Sequence, residues 1–170
     1  MDESRIPILV GSGQITQREA DPLKALSPME LTAAAGLKAS KDSGAGNALL
    51  KSLDTIVLIR SFSDTSWRFS CPFGRYSNPP SSLANRLGAE NANRLIYTYP
   101  GGNMPQWCVN RMFEMINRGE LETAMIAGGE ALATQKKAQR AGINLEWNEV
   151  SGGDYEQWGI DKRGWSDIED

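Results

Sequence analysis

Two thiols and three glycine turns are the groups from which chemistry could be built in this sequence. Its 170 residues contain Cys71 and Cys108 but no histidine. The chain therefore has no Ser-His or Cys-His pair of its own and no His-based zinc site. The two cysteines stand far apart in unrelated surroundings and lack metal-ligand spacing, so no metal is expected. Cys108 shares a helical stripe with Met104, Met112 and Met115, which marks it as a buried, protonated core thiol. Cys71, in Ser70-Cys71-Pro72-Phe73, has no base beside it. The glycine turns are Gly11-Ser12-Gly13, Pro100-Gly101-Gly102-Asn103 and Gly128-Gly129. Bare backbone N–H groups at such turns can hold an anion, and a helix start adds its dipole.

Each turn also has a plainer reading. The first lacks the dinucleotide-binding fingerprint, because Thr16 stands where a small residue is required and the next helix cap comes only at Ser27. A simple turn is preferred there, and dinucleotide binding ranks last among the functions considered. The second is equally a glycine turn with Asn103 as helix cap, and the third a pair of glycines allowing close backbone contact. Trp67, Phe69, Phe73 and Tyr76 interleave with Arg68 and Arg75, either lining a groove for an anionic ligand or packing on their own domain.

The elements that must position these turns alternate between strand and helix patterns. Ile8-Leu9-Val10 reads as a first buried strand. Ser27-Pro28-Met29-Glu30 is a capping box that opens a helix rich in alanine, which stops by Gly44–Asn47. Thr55–Ile59 is a β-branched run suited to a strand covered on both faces. Asn78-Pro79 caps a short helix ending at Gly88, and Arg94–Tyr99 is a third strand leading into the second glycine turn. A helix from Met104 to Gly119 and a strand over Thr123–Ala127 follow. This order predicts an α/β domain, a mixed but mostly parallel sheet with helices on both faces. Ligands bind such sheets beyond the carboxyl ends of the strands, which selects residues 11–16, 100–103 and 127–130 as the functional rim.

Composition narrows the setting. The chain carries 18 Lys plus Arg against 21 Asp plus Glu, without the basic excess that nucleic-acid binding favours. Its apolar runs are far too short to span a bilayer. Neither nucleic acid nor membrane is expected as a partner, and two cysteines suit a cytoplasmic setting. From Ile143 to Asp170 there are eight acidic and two basic residues, with Trp147, Trp158 and Trp165 among glycines. The division expected is a domain over 1–142 and an irregular acidic segment, the start of a loop region, over 143–170.

The order of these signals resembles the amino-terminal half of thiolases, particularly the lipid-transfer (SCP2-type) and acetyl-CoA acetyltransferase-like members. The resemblance rests on Val10-Gly11-Ser12-Gly13, Leu53–Val57, Leu83–Gly88, and Ile116-Asn117-Arg118-Gly119-Glu120 leading to Met125–Glu130. It implies an acyl-CoA substrate, with coenzyme A entering as part of that substrate and no separate cofactor. The site would comprise Gly101, Gly102, Asn103, Gly128 and Gly129, with Gly102 where the family carries its nucleophilic cysteine. That departure disfavours covalent acyl-cysteine chemistry and leaves acyl transfer or non-covalent carbon–carbon cleavage. The resemblance further implies a second half that supplies histidine, dimerisation through the Arg94–Tyr99 strand, and inactivity of this chain alone, as a truncated product or a split subunit of a homo- or hetero-oligomer. The alternative is a non-catalytic structural or regulatory subunit.

Overall fold

The computed structural model describes residues 5–65 and 67–159. Strand β1 (Thr55–Leu58) lies inside a four-stranded, wholly parallel sheet of order β3-β1-β2-β4, with β2 at Arg94–Thr98, β3 at Ala124–Ala127 and β4 at Glu156–Trp158. All four β1 residues are buried. The alternation of a strand sends Ile56 and Leu58 to one face and Val57 to the other. Full burial of each such side chain contributes about 1.5–3 kcal/mol.

Helices cover both faces. On one, α1 (Pro28–Asp42) and α3 (Pro79–Leu87) bring Met29, Ala33, Leu83, Ala84 and Leu87 against Ile56, Leu58, Tyr97 and Met125. On the other, α4 (Met104–Arg118) lays Met104, Cys108, Met112 and Met115 on Val57 and Ile96. The capping box of α1 is complete: Ser27 Oγ accepts from Glu30 N at 3.2 Å, and Ser27 N donates to Glu30 Oε2 at 2.7 Å. Asn78 caps α3 by accepting from Ser81 N, and Gly88 ends it in the left-handed conformation that favours glycine. Two short helices, α2 (Asn47–Ser52) and α5 (Leu132–Ala141), complete the domain.

One expectation is corrected. Ile8-Leu9-Val10 is not a strand and not buried: Ile8 is 73% and Leu9 82% exposed. The interior place is already taken, since β1 is hydrogen-bonded to β2 on one side and to β3 on the other. The run leads instead over α1, and Gly11 and Gly13 press against its backbone. A Cβ on Gly13 would collide with Ala35 O and lie 2.6 Å from Ala39 N. Those glycines serve a chain-over-helix crossing rather than a turn at the sheet's rim.

The described part of the acidic segment lies on the rest of the domain. Trp147 and Leu145 bury against Phe73, Leu31 and Ala138, and β4 extends the sheet in parallel with β2. The segment lacked a visible strand period because β4 is only three residues long and exposed or half-buried throughout. Trp165 and the other residues of 160–170 lie outside the described residues.

The crossing makes a direct prediction. Gly13→Ala must push residues 11–13 off α1, and overpacking of this kind costs about 1–3 kcal/mol. Hydrogen exchange will show faster exchange at Ser12, whose N–H donates to Asp42 Oδ2 at 2.9 Å, together with a lowered Tm. Gly102→Ala, whose Cβ would meet nothing within 4 Å, will leave both unchanged.

Candidate functional site

Parallel strands deliver their loops to one rim, and the loops after β1 and β3 meet there. A cavity of about 420 Å³ is lined by Ile59, Arg60 and Ser61 after β1, by Ile126 to Glu130 at the end of β3, and by Pro105 in the first turn of α4. Of the residues singled out from sequence, Gly128 and Gly129 line this cavity. Gly101, Gly102 and Asn103 are exposed at the start of α4 and do not line it. Asn103 occupies the N-cap position but its side chain makes no capping bond. Residues 11–16 do not line the cavity either.

The glycine pair is held by packing. A Cβ on Gly129 would collide with Thr32 Oγ1 and lie 3.2 Å from Pro28 O, at the first turn of α1, while one on Gly128 would lie 3.1 Å from Ile59 Cβ. Close backbone contact, the plainer of the two sequence readings, is thus realised at Gly129. Ionisable groups gather beside it. Phe62 N donates to the Glu130 carboxylate, tying the loop after β1 to the loop after β3. Desolvation at the cavity wall raises the Glu130 carboxyl above its ordinary value, opposed by that same hydrogen bond, although the residue as a whole stays exposed.

Next to them Arg60 donates through Nε to Thr98 O at 2.8 Å and through Nη1 to Asp64 Oδ2 at 3.1 Å, with its guanidinium 4.2 Å from the Tyr97 ring centroid. Tyr97 Oη donates to Asp64 Oδ2 at 2.9 Å, and burial, reinforced by that carboxylate, pushes its phenol far up. Behind Gly129 a chamber of about 30 Å³, room for one water, is bounded by Thr32, Tyr76 and Tyr97, and the buried Tyr76 hydroxyl has no hydrogen-bond partner among the described residues.

Sequence reasoning reached the loop containing Glu130 but assigned it no role, and it did not reach Arg60, Ser61, Asp64 or Tyr97. A basic residue directly after a buried strand was the available signal for Arg60.

Neither thiol belongs to this cavity. Cys108 is fully buried beneath α4 among Val57, Ile96 and three methionines and does not line the cavity, and burial pushes its pKa up to about 11. Cys71 is half-buried beside the small core around Phe73, where desolvation also raises it. Among the described residues no three His, Cys, Asp or Glu side chains converge as a metal would require, and no helix is long and apolar enough to cross a membrane.

No protein-family model matches the chain, and no curated protein matches it. Among solved structures it is similar to a monomeric SCP2-thiolase-like protein type 1 from Mycobacterium smegmatis, with 28% identity and a TM-score of 0.61. The fold is thiolase-like. The match covers 76% of this chain but only 24% of the Mycobacterium protein, so the thiolase-like chain spans about a quarter of that neighbour. The four-stranded parallel sheet with helices on both faces agrees with that fold.

At pH 8 a thiol of pKa about 11 is about one part in a thousand thiolate. Titration of the native thiolase-like chain with an aromatic disulfide reagent will therefore modify Cys71 alone, and Cys108 will follow only when denaturant is added. Rapid modification of both thiols in the folded protein would contradict the placement of Cys108.

Proposed function

We propose that this chain is the half of a thiolase-like protein that holds an acyl-CoA thioester at the carboxyl rim of its sheet and acts on it without an acyl-cysteine intermediate. The observation that supports this most is the cavity between the loops after β1 and β3, which lies at the rim where a parallel sheet presents ligands and has no sulfur on its wall. A thioester oxygen placed there would meet backbone at Gly128-Gly129 and the start of α4. Donors aimed at a developing oxyanion or enolate stabilise it without a covalent step. Glu130, its carboxyl raised by desolvation, suits proton transfer at such a centre better than an ordinary surface carboxylate.

In this reading the exposed turn at Gly101-Gly102-Asn103 contacts the thioester from the side. The reaction class is acyl transfer or non-covalent carbon–carbon cleavage. The histidine that the chain lacks would come from a second half or a partner subunit, and the chain alone would be inactive.

One observation favours the alternative, a non-catalytic subunit of a thiolase-like assembly. Gly129 is accounted for by its contact with α1, and Gly101, Gly102 and Asn103 stand apart from the cavity. Calorimetric titration with acetyl-CoA separates the two. The active-half reading predicts saturable binding that weakens at least about tenfold, or about 1.4 kcal/mol, when Ser61→Trp fills the cavity. Gly102→Trp, in open space, will weaken it in the same direction without lowering Tm. Absence of binding heat, or unchanged affinity in Ser61→Trp, would leave the subunit reading standing.

A further inference from the structure

A second cavity, of about 710 Å³, lies between α4 and the β4 end of the sheet and shares no wall residue with the rim cavity. Its size falls within the range of about 300–1,000 Å³ usual for small-molecule sites. Helix α4 supplies Trp107, Asn110, Arg111 and Glu114, whose spacing of three and four residues places them on one helix face. The sheet supplies Arg94 from β2, and Gln157 and Trp158 from β4.

The apolar part of this cavity is a corner made of two indoles. The Trp107 and Trp158 rings meet edge to face, with centroids 5.9 Å apart and planes at 86°. Trp158 is held in place on two further sides: its Nε1 donates to Glu156 Oε2 at 2.8 Å, and the Arg94 guanidinium lies 5.3 Å from its ring centroid. Trp107 is 38% exposed, so part of its ring is left for a ligand.

The polar part carries no net charge. Arg94 Nε and Nη2 donate to Glu156 Oε1 and Oε2 at 2.7 and 3.1 Å, and Arg111 Nη1 donates to Glu114 Oε2 at 3.1 Å. Each of the two guanidiniums is therefore matched by its own carboxylate. Between them stand two amides, exposed Gln157 and Asn110, whose Oδ1 accepts from Gln106 Nε2 at 2.9 Å and whose Nδ2 has no partner among the described residues.

These features discriminate between ligand classes. A phosphate or carboxylate needs a cation that is not already neutralised, and neither arginine here meets that need. A flat base is held best between parallel rings, which this perpendicular pair does not offer. A sugar fits both parts. The C–H face of a pyranose lies on an indole ring, an apolar surface with a wet margin. Each of its hydroxyls both donates and accepts, and the wall presents both kinds of partner: a carboxylate that only accepts, guanidiniums that only donate, and amides that do either.

We propose that the cavity between α4 and β4 is a binding site for a neutral carbohydrate, stacked on Trp107 and held through its hydroxyls by Asn110, Arg111, Glu114 and Gln157. This inference does not rest on the acyl-CoA reading. Nuclear magnetic resonance titration of the full chain with cellohexaose and, separately, maltohexaose tests it through the indole N–H signals. With at least one of the two sugars the Trp107 and Trp158 signals will shift saturably, while that of Trp67, 80% exposed on the loop after β1, will stay in place. Adenosine monophosphate, an anion with a flat base, will move none of them.

Trp107→Ala will weaken sugar binding at least about tenfold, as truncation of a central Trp anchor does. Gln157→Ala, at an exposed position, will weaken it in the same direction without lowering Tm, which covers the case in which Trp107→Ala does not fold. Silence with both sugars, shifts shared equally by Trp67, shifts of Trp107 and Trp158 with adenosine monophosphate, or unchanged affinity in either folded variant would each overturn the proposal.

Discussion

Everything in this fold is arranged around a strand that has no free side. Residues Thr55–Leu58 are buried on both faces and paired along both edges, so helices must cover the sheet above and below. The loops that follow β1 and β3 then emerge side by side. That adjacency makes the rim cavity: Ile59 to Ser61 follow directly from β1, Gly128 to Glu130 directly from β3, and the Phe62–Glu130 hydrogen bond joins the two. The site is a consequence of strand order before it is a property of any one side chain.

The same constraint decides where the remaining apolar sequence goes. With both edges of β1 in use, Ile8-Leu9-Val10 runs outside the sheet, and its glycines acquire a different purpose in crossing α1. The outer edge of β2 remains available and is taken by β4, through a contact made by one arginine, one glutamate and two tryptophans. Free strand edges invite unwanted pairing, and a short strap from the chain's own C-terminal region answers that hazard locally.

Much of the architecture was legible from residue pattern because local signals and packing agree. The capping box at Ser27–Glu30, the Asn78 cap, the β-branched run at β1 and the Met104–Met115 stripe all form what their spacing predicts. The same stripe correctly marks Cys108 as a core thiol. What could not be read depends on partners distant in sequence. Ile8–Val10 has the composition of a strand, but pairing is settled by which edges are free. β4 is too short to carry a period, and α5, with only Thr134 and Ala138 buried, carries little apolar signal. At the site, Gly128 and Gly129 were legible as a close-contact pair. Arg60, Asp64 and Tyr97 were not, because their grouping depends on contacts between Arg60 and Asp64 near β1 and Tyr97 on β2.

We propose that an acyl thioester is handled at this rim without sulfur. Intact-mass spectrometry of the full chain after incubation with acetyl-CoA at neutral pH, with quenching in acid, tests it most directly. An unmodified mass is expected even under conditions where acetyl-CoA is bound. An added acetyl group, mapped by peptide digestion to Cys71 or Cys108, would contradict it.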